Sequence, residues 1–441
     1  MTEKYSKKLE IGNFHVKDIV FGDKTSYNDG VLTVNKEEAI AALNPEGKLK
    51  NVDLQIARPG ESVRILPIKA AVEPRARADG RATFPGYTGP MAECGDGVLY
   101  ALKDMSVMAV GKYGGWMEGI VDMSGPGAEL TNYAKVINLC FVAENTDPNE
   151  DAGSQHKNLN FRIGAHLLAQ YLGKAVLGQE PDDWESFELT DVSDKHLPKV
   201  ALITMLSSFY EMPDFDDVFY GVDVRLMLPT IAHPNELLDG ALCSSSLIPA
   251  GNHSSTYDYQ NFPILKRLYE EHGKTIDFVG VIFSTMGMTL EKKDRNAIRL
   301  IEIVSMLHCD GVIFSQQCSG NPDVDFFKGL VGMEARGIKT VGMTSECCGR
   351  DGTTQVKVVL DPKADAIVST GNADQILELP AMERIIGDLK SVRRDSYPGC
   401  WDDDPQRGPS LRPDGSIIMD ATSYLNHDGQ IGWSNKTCKS F

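Results

Sequence analysis

Between Leu228 and Phe262 the chain reads LPTIAHPNELLDGALCSSSLIPAGNHSSTYDYQNF, a stretch rich in side chains able to do chemistry. Cys243 and Ser244–Ser246 carry nucleophilic groups, His233 and His253 can move protons, and Tyr257 and Tyr259 stand at alternate positions. A long connecting loop and an active-site loop both satisfy this composition.

A second cluster, SECCGRDG at 345–352, follows an apolar run. Arg350 there can hold a carboxylate while Glu346 and Asp351 orient it or attract an ammonium, although a surface ion-pair network fits the same pattern. Cys347 beside Cys348 offers a soft-metal or thiol-relay pair, against the plainer reading of inert buried thiols; Cys318 poses the same choice. Phe209 and Tyr210, together with Tyr257 and Tyr259, would form an aromatic cage for a quaternary ammonium group, whose charge is drawn to ring faces. Histidines and cysteines do not recur at zinc-like spacing, so no metal site is expected. Neither a Walker loop nor a dinucleotide fingerprint is present.

These residues need a frame. The first 145 residues alternate apolar and polar side chains in short runs such as FHVKDIVF and SVRILPI, which predicts a β-rich domain with one helix over Lys36–Leu43. The polar stretch NTDPNEDAGSQHK marks a boundary, and three- and four-residue spacing predicts a helix from about Leu159 to Leu177. Beyond it the apolar runs KVALITML, DFVGVIFST, DGVIFS, KTVGMTS and DAIVST alternate with helical patterns. That order predicts an α/β class: a β-rich domain over 1–145, a first α/β region over 159–262 carrying the loop 228–262, a parallel three-layer α/β region over 263–387, and a wrapping segment over 388–441. Loops after the parallel strands, at Met286–Met288, Gln316–Asn321, Glu346–Asp351 and Gly371–Asn372, would gather at one edge, where α/β sheets bind ligands.

The 441 residues suffice for two or three cores. A net charge of -18 argues against nucleic-acid partners and anionic membrane surfaces. No apolar run is long enough to span a bilayer, and the first residues lack a signal-peptide core, so a cytoplasmic protein is expected. Nine irregularly spaced cysteines suit free thiols in a reducing compartment.

Several dispersed motifs then stand in one order: ARPGESVRI at 57–65, EGIVDMSGPGAE at 118–129, YGVDVRLMLPT at 220–230, PNELLDGA at 234–241, TYDYQN at 256–261, DFVGVIFS at 277–284, DGVIFS and GNPDVD within 310–325, GRDG at 349–352 and GNAD at 371–374. In these the chain resembles, over nearly its whole length, the larger subunit of component B of the clostridial glycine, sarcosine and betaine reductases. The resemblance implies a substrate-binding subunit of an oxidoreductase that splits a C–N bond. It implies a selenocysteine on a partner subunit, transfer of a carboxymethyl group to the small selenoprotein A, release of acetyl phosphate by component C, and electrons from a thioredoxin system.

Glycine- and sarcosine-type members resemble one another in an Asn-Cys bond that self-cleaves to give a pyruvoyl group. By register that bond falls at Ser246-Leu247 here, and leucine has no nucleophile. The departure implies no pyruvoyl cofactor and a quaternary substrate, glycine betaine, released as trimethylamine; Cys243 and Ser244–Ser246 keep a processed glycine or sarcosine type as the alternative. On this resemblance Tyr257, Tyr259, Phe209 and Tyr210 would line the ammonium pocket and Arg350 would anchor the carboxylate. Glu346, Asp351 and Cys347 would be supporting groups, with no covalent catalyst. A binding protein without catalysis and a scaffold for the selenoprotein are the rival classes.

Overall fold

The computed structural model describes residues 7–112, 118–147, 158–206, 217–244, 247, 249–389 and 410–433. The apolar runs of the second half form a parallel sheet of β1 (Lys199–Leu206), β2 (Asp277–Thr285), β3 (Gly311–Gln316), β4 (Lys339–Glu346) and β5 (Ala366–Asn372). Their order across the sheet is β2-β1-β3-β4-β5, and a short antiparallel strand, Thr230–Ala232, lies outside β2. In β1, Leu202 faces Val281 of β2 and Ile313 of β3.

Period-two alternation divides β1 between two cores. Ala201, Ile203 and Met205 pack with Leu300, Val304 and Leu330, from helices α2 (Leu290–Met306) and α3 (Pro322–Glu334). Leu202 and Leu206 join Leu265 and Leu268 of α1 (Pro263–Glu271) on the other face. Both faces of this sheet are therefore apolar, as parallel strands require. Because the second strand lies on one side of β1 and the third on the other, the order of strand addition reverses between β1 and β3. Such a switch point leaves a crevice at the carboxyl ends of the two strands.

The N-terminal part is strand-rich, with a helix over Lys36–Leu43 capped by the Asn35 side chain. Its larger sheet has the order Gly119–Asp122, Val63–Val72, Met105–Val110, Ile137–Asn145, Leu49–Ala57, and a four-stranded sheet contains Lys8–His15 and Gly97–Lys103. Packing here does not follow chain order. Helix Leu159–Gly173 lays Phe161, Leu168 and Leu172 on the core formed with Phe14 and Phe141 of the N-terminal strands. Strand Asp183–Glu188 pairs with Lys8–Asn13, and Arg384–Gly387 pairs with Val63–Leu66. Helical periodicity marks an apolar face; it does not say which core that face will cover.

The last described segment is a strap. Ile417–Asp420 pairs with Ile376–Leu379, and the chain then crosses the carboxyl ends of three strands. Ser315 donates to the Gln430 carbonyl at 2.5 Å, Gln430 Nε2 to Ser345 Oγ at 2.9 Å, and Thr370 to the Asp428 carbonyl at 2.9 Å. Among the described residues no helix is long and apolar enough to cross a membrane.

Candidate functional site

The loop before α1 lies under the strap. Gly251 N–H donates to the Thr422 carbonyl at 2.7 Å, Asp428 N–H donates back to Gly251 at 2.8 Å, and Asn426 N–H donates to Ala250 at 3.0 Å. A β-carbon on Gly251 would stand 2.5 Å from the Ala421 carbonyl oxygen, so this approach requires glycine. On the sheet side, Cys318 at the end of β3 holds a left-handed φ of 61° and donates its amide to Asn252 at 3.2 Å.

The next residues form a short helix, Thr256–Gln260, started by a reciprocal cap. Ser255 Oγ accepts from Asp258 N–H at 3.1 Å, and Asp258 Oδ2 accepts from Ser255 N–H at 2.8 Å. Asp258 also accepts from the Tyr133 hydroxyl at 3.0 Å and from Asn426 at 3.1 Å. Burial pushes its carboxyl up to about 6 in spite of these donors.

This helix divides the two tyrosines. Residues two apart on a helix point about 200° away from each other, so alternation does not place Tyr257 and Tyr259 in one cage. Tyr259 packs with Leu202 and Phe283, whereas Tyr257 packs with Leu247, Val121 and Tyr133. The Tyr259 hydroxyl donates to Asp217 at 2.6 Å and accepts from Gln317 Nε2, bridging the two sides of the switch point. His253 Nε2 lies 3.3 Å from the other Asp217 oxygen, and Ser254 N–H donates to Gln317 at 3.3 Å. These side chains are at most 4% exposed, which closes the network to solvent.

The end of the helix is held from the N-terminal sheets. Gln260 exchanges hydrogen bonds with the Glu73 backbone, Asn261 donates to Glu73 Oε2 at 2.9 Å, and Lys103 donates to the same oxygen at 2.8 Å. Burial alone would raise the Glu73 carboxyl, but Lys103 and Arg75 outweigh it and hold it down at about 2.

Other expected residues fall as follows. Arg350 makes a two-pronged ion pair with Asp420 of the strap, at 3.0 and 3.3 Å. Asp351 instead accepts from Thr353, and Glu346 accepts from Cys348 at 3.7 Å, so Asp420 takes the orienting role expected of those two acids. Cys347 lies 2.6 Å from Ser319 Oγ, and burial raises its thiol to about 11, which keeps it protonated near neutral pH. Cys243 is buried and hydrogen-bonded to the Gly240 carbonyl at 3.4 Å. Leu247 is 3% exposed, packed with Ala250 and Leu425. Phe209, Tyr210 and Ser246 lie outside the described residues. Among the described residues no group of three or more His, Cys, Asp or Glu could hold a metal ion.

Sequence reasoning placed Gln317 and Asn252 only within candidate loops, at 316–321 and 228–262, and passed over Asp217 and Gln430. Asp217 closes a run of acids and aromatics, and nothing in its spacing marks it. The same strand-end rule that marked the loop at 316–321, applied after the first strand, was the signal that could have found Asp217.

Beside the closed network, a cleft of about 510 Å³ opens between the N-terminal sheets and the start of α1, lined among others by Tyr257, Trp433, Lys103, Lys266, Asp104 and Asp183. Tyr257 thus reaches a solvent-facing site that Tyr259 does not.

Compared with known proteins, residues 7–439 match the family described as glycine/sarcosine/betaine reductase component B subunits. Over 441 aligned residues, 98% of this chain and all of the relative, the chain is 44% identical to betaine reductase complex component B subunit alpha of Peptoclostridium acidaminophilum. It is 36% identical to glycine reductase complex component B subunits alpha and beta of Acetoanaerobium sticklandii, again over 98% of this chain and all of the relative. It is also 36% identical to sarcosine reductase complex component B subunit alpha of Peptoclostridium acidaminophilum, over 90% of this chain and 94% of the relative. No solved structure matches significantly. The chain belongs to the glycine/sarcosine/betaine reductase component B family.

Proposed function

We propose that this member of the family is the substrate-binding subunit of a betaine-type component B and works without internal cleavage. The observation that carries the reading is the gradient of similarity: 44% identity to the betaine reductase subunit against 36% to the glycine and sarcosine relatives, at comparable coverage. Leu247 supports it, because a buried leucine side chain supplies no nucleophile for an acyl shift.

On this reading the partner's selenolate attacks the methylene carbon of glycine betaine. The C–N bonding pair leaves with nitrogen, which departs as neutral trimethylamine, while selenium keeps the carboxymethyl group. That nitrogen is already cationic in the substrate, so no carbonyl cofactor is needed to make it a leaving group. The carboxymethyl group passes to selenoprotein A and leaves as acetyl phosphate through component C, with thioredoxin-type dithiols supplying electrons. This chain binds and orients the substrate, and proximity supplies part of the barrier reduction. Tyr257 is carried into the site; Tyr259 is not, since its hydroxyl is held inside the closed network, and Arg350 is paired with Asp420 of the strap and does not line the cleft beside α1.

Intact-mass measurement of the denatured chain tests the reading. One species near 48.3 kDa is expected. Two fragments meeting between Cys243 and Gly251 would instead make the chain a pyruvoyl-dependent glycine or sarcosine type.

A further inference from the structure

The cleft beside α1 is lined by charges of both signs. Lys103 reaches Glu73 at 2.8 Å and Asn261 at 2.6 Å, and Lys266 reaches Glu185 at 2.6 Å. Asp104 and Asp183 are joined through His15, whose ring nitrogens lie 2.5 and 2.7 Å from them. Those two hydrogen bonds hold the imidazole pKa above its ordinary value. Between these groups the lining includes the Tyr257 and Trp433 rings. The Trp433 indole N–H is buried without a hydrogen-bond partner among the described residues, an unusual state for a strong donor. The Tyr257 hydroxyl likewise makes no hydrogen bond there, whereas that of Tyr259 makes two.

We propose that this cleft is the binding site for a small zwitterion bearing an ammonium and a carboxylate, an inference that rests on the substrate reading above. Aromatic rings with Asp104 and Asp183 beside them suit a methylated ammonium, which has no N–H to donate and is held by ring faces and negative potential. Lys103 and Lys266 suit the carboxylate. A cavity of about 510 Å³ holds such a molecule with room to spare. Access decides against the switch-point network: the attacking atom belongs to another chain, and Tyr259, Asp217 and Gln317 are 0% exposed. The cleft is open to an approaching partner.

Calorimetric titration of the full chain, alone and assembled with its partner subunit, tests this with glycine betaine, sarcosine and glycine as probes. Asp183→Asn and Lys266→Gln are the variants, because both side chains line the cleft and are partly exposed. Each is expected to weaken betaine binding about tenfold, as loss of a charged contact does, while the melting temperature stays near that of the parent. Unchanged betaine affinity in both folded variants would overturn the cleft and leave the substrate reading standing. Sarcosine or glycine binding that these variants lose, with no betaine binding by the parent, would keep the cleft and overturn the substrate. Binding of none of the three by the parent, alone or assembled, would overturn both.

Discussion

Two sites lie on either side of one helical turn, and they differ in kind. At the switch point, Tyr259, Asp217, Gln317 and His253 are buried and hydrogen-bonded to one another. Two residues away, Tyr257 borders an open cleft lined by Lys103, Lys266, Asp104 and Asp183. A closed, hydrogen-bonded network fixes a backbone; an open, charged surface receives something. The usual ligand crevice of a doubly wound sheet has here become a keystone covered by the strap, and the binding surface has moved to the seam with the N-terminal sheets. A stretch rich in chemical groups can thus divide its work within five residues.

Tyr259→Phe strikes the closed side hardest. It removes the donor to a buried Asp217 and the acceptor for Gln317, with an expected loss of about 2 kcal/mol in urea denaturation, as for a hydrogen bond to a charged group. Asp258 adds a pH signature to the same frame. Its folded pKa of about 6 lies above the ordinary 3.8, so its stabilisation is full below about pH 4 and is lost as pH rises through 6. Linkage then puts the unfolding free energy about 1 kcal/mol higher at pH 5 than at pH 7.5 through this group alone. Asp258→Asn should erase that difference; a pH dependence unchanged in the variant would assign it elsewhere. The smallest stability effect belongs to Tyr257→Phe, within about 0.5 kcal/mol, because its hydroxyl makes no hydrogen bond within the described residues. Equal losses in the two phenylalanine variants would dissolve the contrast.

Much of the frame was legible in the sequence. The runs KVALITML and DFVGVIFST read as buried strands because parallel strands are apolar on both faces, and the helix at Lys36–Leu43 was legible from its pattern. The site was less so. Tyr257 and Tyr259 read as loop residues of one aromatic cage because a five-residue helix has no measurable period; its cap, Ser255 with Asp258, was the available sign. DWESFE, at 183–188, hides a strand among acids because it pairs with a distant N-terminal strand. The ion pair of Arg350 with Asp420 spans 70 residues, and no local pattern reports such a contact. Trp433 belongs to the segment expected to wrap a domain, but that segment has no periodicity from which its place in the cleft could be read.

Hydrogen-exchange mass spectrometry of the full chain, with and without saturating glycine betaine, sets the two sides against each other directly. Added protection is expected in 97–104, 183–187 and 257–266, around the cleft, and none in 311–317 or 339–346 at the switch point. Protection gained at the switch point with none around the cleft would contradict that expectation.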